Sequence, residues 1–108
     1  MTRHGPRYGE PGIEQQVWDL AEIIHGKDKQ LVRRDPMGKI IRRESYGKEV
    51  ETGGWTIDHI IPKRRGGSDY LNNLQAYNIP GSHMNGSSCV KPSRYNPHWA
   101  LPPAALHY

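Results

Sequence analysis

Apolar residues recur at helical spacing at Ile13, Val17, Leu20, Ala21 and Ile24, while Glu14, Gln15, Asp19 and Glu22 fall on the other side. The pattern predicts one amphipathic helix over Ile13–His25, with Gly26 as its stop. The period then shortens. Leu31-Val32 and Ile40-Ile41 flank Asp35-Pro36-Met37-Gly38, which places Asp, Pro and Gly where a type I turn wants them. This predicts a β-hairpin with Arg and Lys along its strands, ended by Tyr46-Gly47. Trp55-Thr56-Ile57 is a further short strand running into Asp58-His59. Before Ile13, the Gly, Pro and charges of residues 1–12 predict a flexible arm. Residues 80–108 hold five of the nine prolines and show no usable period.

Composition narrows the class. A chain of 108 residues forms one domain at most. With 34% hydrophobic residues and no Phe, its core is small, and a bound metal ion would help to order it. The first residues lack the apolar core of a leader peptide, and no run approaches the ~20 apolar residues of a membrane span. The expectation is a soluble intracellular protein with no membrane partner. The lone Cys89 excludes an internal disulfide and a CxxC zinc site.

The net charge of +4 is modest, but its distribution is informative. Lys27 to Lys48 holds eight cations, among them Arg33, Arg34, Arg42 and Arg43, against three acids. Lys63, Arg64 and Arg65 form a second cluster. Both read as candidate phosphate contacts, with a solvated basic surface as the plainer alternative.

The candidate chemistry sits in one stretch, WTIDHIIPKRRGGSDYLNNLQ, Trp55 to Gln75. Asp58 is a hard oxygen ligand of the kind that holds Mg²⁺ or Mn²⁺. A neutral His59 beside such an ion is a good general base. At a strand end, both side chains can border one cavity. Pro62 ends the strand, Gly66-Gly67 let the loop turn, and Asn73 can hydrogen-bond across it. These ingredients fit metal-assisted phosphodiester hydrolysis.

The run DHIIPKRRGGSDYLNNLQ resembles the HNH (His-Asn-His) endonuclease motif, and the upstream RRDPMGKIIRRESYGKEVETGGWTIDHI resembles one branch of that family. The likeness covers Val17 to Tyr77 and is best from Arg33 to Gln75. It implies a small single-domain α+β fold with an N-terminal helix, a basic hairpin and a ββα-metal unit. It divides the chain into an arm over 1–12, an HNH-like domain over 13–88 and a loosely ordered Pro-rich tail over 89–108. It implies His59 as general base, Asp58 as metal ligand, and Asn73 as the residue that holds the loop and orients His59. Lys63, Arg64 and Arg65 become phosphate contacts, with Arg33, Arg34, Arg42 and Arg43 tracking the nucleic-acid backbone. The partner implied is DNA, with RNA left open. The ion is Mg²⁺ or Mn²⁺ first, with Zn²⁺ or Ni²⁺ as further options at an Asp/His site.

The last part of the family's motif departs. A second metal ligand, Asn or His, is due on a helix after Asn-Leu-Gln. Ser82 stands at the usual spacing and is a poor ligand. His83 takes the role, or Asn85 does, or the element is lost or replaced. The last case leaves a catalytically degenerate scaffold that binds nucleic acid without turnover. A metal-stabilised domain that binds another protein is a weaker third reading.

Overall fold

The computed structural model describes residues 5–80 and 92–98. It is an α+β fold with one short helix and two small antiparallel sheets. Gly12, with φ at 83°, opens α1 (Ile13–Trp18). Ile13, Val17 and Trp18 are buried, as their spacing requires. The helix ends there, well short of His25. The Arg33 guanidinium takes the carbonyls of Asp19 and Ala21, both at 3.0 Å. Glu22–Ile23 then forms β1, paired with β2 (Val32–Arg34). Leu20, expected on the buried stripe, is 39% exposed, and Ile24 is only half-buried. A long-range cation, rather than helical period, decides this segment.

The hairpin forms where expected. β2 pairs with β3 (Ile40–Arg42), with Arg33 opposite Ile41. Gly38 N–H donates to the Asp35 carbonyl at 2.9 Å to close the turn. The Asp35 carboxylate is fully buried. Its Oδ1 accepts from the N–H groups of Met37 and Lys39, and its Oδ2 accepts from Asn78 N–H at 2.8 Å. The turn residue thus ties the first sheet to the last strand.

The second sheet pairs β4 (Trp55–His59) with β5 (Leu74–Asn78). Trp18 and Trp55 pack at 5.3 Å between ring centroids and anchor a core with Ile41, Ile57, Leu74 and Ala76. Each buried indole N–H finds a carbonyl, Lys29 for Trp18 and Arg42 for Trp55. That satisfaction lets two large polar-tipped rings fill a small core. His83 and Asn85, expected on the segment that completes a ββα unit, lie outside the described residues, as do Cys89 and most of the tail.

Candidate active site

The β4–β5 register sets Asp58 opposite Gln75 and His59 opposite Leu74. Residues directly opposite on an antiparallel pair share a face and interact. Gln75 Nε2 accordingly donates to Asp58 Oδ2 at 3.1 Å. Gln75 is 1% exposed, and its Oε1 accepts the Arg94 backbone N–H at 2.8 Å. The Arg94 side chain in turn donates to the carbonyls of Leu74 and Leu71. A segment beyond β5 therefore returns to the strand pair and fixes which way the Gln75 amide faces.

The loop joining β4 to β5 is held by Asn73. Its Oδ1 accepts Ile61 N–H at 2.9 Å, and its Nδ2 donates to the carbonyls of Ile61 and Ser68 at 3.0 and 2.8 Å. Gly66 turns the chain with φ at 92°. Gly67 approaches the start of the same loop so closely that a Cβ there would clash with the Ile61 carbonyl oxygen. The residue Asn73 bonds and the residue Gly67 faces are the same one.

The stapled loop brings Asp69 under His59. Asp69 Oδ1 meets His59 Nε2 at 2.7 Å, and Asp69 Oδ2 accepts from Lys63 Nζ at 2.9 Å. The His59 hydrogen bond, and then that of Lys63, hold the Asp69 carboxyl below its usual range. Residues 6–8 line the same loop. Tyr8 N–H donates to the Asp69 carbonyl at 2.7 Å, and the Tyr8 ring meets His59 edge-on at 5.4 Å.

The cations divide into two groups. Arg33, expected to track the nucleic-acid backbone, is instead 4% exposed, with its guanidinium on the carbonyls of Lys29, Asp19 and Ala21. Arg43 is largely committed to Glu14 and Gln15, at 2.7 and 2.8 Å. Arg42 pairs with Glu44 at the surface. Arg34 is half-buried and lines a cleft with Glu22, Gln75 and Arg94. Lys63, Arg64 and Arg65 stand exposed in a single 3₁₀ turn beside His59's loop.

Residues 47–78 match the HNH endonuclease family model. The HNH match spans 32 of the 108 residues and covers β4, the stapled loop and β5. No curated protein and no solved structure matches the chain. An HNH segment points to a nuclease or nucleic-acid-related function. Among the described residues, no helix is long and apolar enough to cross a membrane.

Asp58 fits a divalent cation: it is a carboxylate, half-buried, with one oxygen held by a buried amide in the manner of an outer-shell partner. Among the described residues, no three His, Cys, Asp or Glu side chains group as a cation cage. Asp69, Arg94 and Tyr8 were not singled out from sequence. Asp69 lies within the motif stretch but carries no local signature, and Arg94 is joined to the site only by the fold.

Proposed function

We propose that the chain is an HNH-type endonuclease that hydrolyses phosphodiester bonds in DNA, with a divalent metal ion and His59 as general base. The observation that carries the reading is the β4 end. Asp58 and His59 are each held there by a buried or half-buried polar partner, directly before a loop that presents three cations. A divalent cation on Asp58 supplies charge neutralisation at the phosphate and the leaving oxygen. His59 takes a proton from water, and the water oxygen bonds to phosphorus as the P–O bond to the leaving sugar breaks. Lys63, Arg64 and Arg65 position the backbone and give affinity without sequence preference. Asn73 keeps the loop closed, so that the base and these cations keep one spacing.

The test is nicking of supercoiled plasmid by the purified protein with Mg²⁺, Mn²⁺, Zn²⁺ or Ni²⁺, beside His59→Ala. Nicking by the wild type and its loss in His59→Ala is the expected result. Salt-dependent DNA binding with no nicking under any of these ions would remove the enzyme and leave a nucleic-acid-binding scaffold. Comparison of His83→Ala with Asn85→Ala assigns the second ligand.

A further inference from the structure

Asp69 has two oxygens and two partners: His59 Nε2 at 2.7 Å on Oδ1, and Lys63 Nζ at 2.9 Å on Oδ2. Both partners favour its charged form. An ionised carboxylate only accepts hydrogen bonds. The hydrogen between Asp69 and His59 therefore belongs to Nε2. In the neutral imidazole, the lone pair then lies on Nδ1. Among the described residues, Nδ1 has no hydrogen-bond partner.

We propose that Asp69 is a positioning residue, which holds His59 as the Nε2–H tautomer and so makes Nδ1 the atom that takes the proton from water. The chemistry rests on the nuclease reading above; the tautomer does not. The same logic orients the histidine of a hydrolase triad, where a carboxylate fixes the ring without being protonated itself.

The surroundings are built for this. Asn73 holds Ser68, the residue before Asp69, through its carbonyl at 2.8 Å. Tyr8 N–H holds the Asp69 carbonyl at 2.7 Å, and the Tyr8 ring limits rotation of the imidazole from its edge. Lys63 balances the Asp69 charge, so that a carboxylate this near the base does not repel an incoming phosphodiester. The loop thus delivers a base, its orienting carboxylate and a compensating cation as one unit.

The experiment is an imidazole ¹⁵N spectrum of the full, metal-free chain at a pH where the ring is neutral, with His59→Gln assigning the signals. The expected wild-type state of His59 is Nε2–H. In Asp69→Asn, the Lys63 ammonium has only donors and takes the amide oxygen, which turns the NH₂ group toward His59 Nε2, and the population shifts toward Nδ1–H. In plasmid nicking, the same variant should lose on the order of 10²-fold in kcat with KM unchanged, the size of a misplaced general base. Asp69→Glu should recover part of both. An Nδ1–H wild type overturns the proposal and requires no variant to fold. A folded Asp69→Asn that keeps the wild-type tautomer also overturns it. So does one that nicks faster, because Asp69 would then be covering Nε2 rather than orienting the ring. An Nε2–H wild type that nicks nothing upholds the tautomer and sinks the nuclease reading instead.

Discussion

Gln75 faces Asp58 across the β4–β5 pair and donates to it at 3.1 Å, while its own amide oxygen is held by the Arg94 N–H at 2.8 Å. An amide has one accepting and one donating end. Because Arg94 takes the accepting end, the donating end is left for the carboxylate. Gln75→Leu keeps the volume and removes both contacts. Two half-buried polar groups, the Asp58 carboxylate and the Arg94 N–H, would each lose this hydrogen bond, costing roughly 0.5–1.5 kcal/mol each in urea denaturation. Loss of an outer-shell partner should also weaken Mn²⁺ binding by calorimetry about 10–100-fold. Unchanged Mn²⁺ affinity in a folded variant would remove Gln75 from the support of Asp58.

Asn73 and Gly67 act on the same carbonyl, that of Ile61. Asn73→Ala deletes one acceptor and two donor bonds, a loss of roughly 2–4 kcal/mol. Gly67→Ala is expected to destabilise for a steric reason, by about 1–3 kcal/mol. Gly66→Ala meets open space and pays only for its left-handed backbone, roughly 1–2 kcal/mol. Denaturation curves for the three variants check the order. If Gly67→Ala proved the mildest, the close approach of this loop to Ile61 would be in error.

Asp35 gives a pH signature. Burial raises its carboxyl above the usual range, against the opposing pull of N–H bonds from Asn78, Lys39 and Met37. Between the unfolded and folded pKa values, the folded chain holds more protons. The stability due to this group is therefore fully present below the unfolded value and is lost as pH rises through the folded one. The unfolding free-energy difference between wild type and Asp35→Asn should accordingly shrink as pH rises across that window. Asp69 is lowered and acts with the opposite sign, so the comparison must be between these two chains, in which Asp69 cancels. A difference that grows with pH would mean that the three N–H donors outweigh burial.

The two classes of arginine should separate cleanly. Arg33→Ala removes the guanidinium from the carbonyls of Asp19 and Ala21, and from that of Lys29, which keeps the Trp18 indole N–H, and should cost about 2–4 kcal/mol in stability. It should not change the slope of DNA affinity against salt. Arg64→Ala and Arg65→Ala should leave stability within about 0.5 kcal/mol and each lower that slope by about 0.9. Filter binding at several salt concentrations reads the slope. A changed slope for Arg33→Ala with unchanged stability would restore it as a phosphate contact.

Features written in neighbouring residues were legible. Asp35-Pro36-Met37-Gly38 forms its turn because the Asp, Pro and Gly preferences act over four residues. Trp55–His59 is a strand that ends in Asp58 and His59 because its alternation and its Pro62 stop are local. The spacing of Gly66, Gly67 and Asn73 announced a closed loop, and Asn73 closes it.

What the sequence could not carry was decided by contacts between distant residues. The apolar period from Ile13 continues past Trp18, but the helix does not, because Arg33 takes the carbonyls that its next turn needs. Arg33 and Arg64 are the same letter in two basic runs; only the fold buries one and exposes the other. Asp35 reaches Asn78 across 43 positions, and Arg94 reaches Gln75 across 19. Periodicity and turn chemistry report how a residue interacts with its own segment. Which buried carbonyl a cation satisfies, and which carboxylate meets the base, depends on how segments are brought together, and hydrogen-bond satisfaction inside a small core settles it.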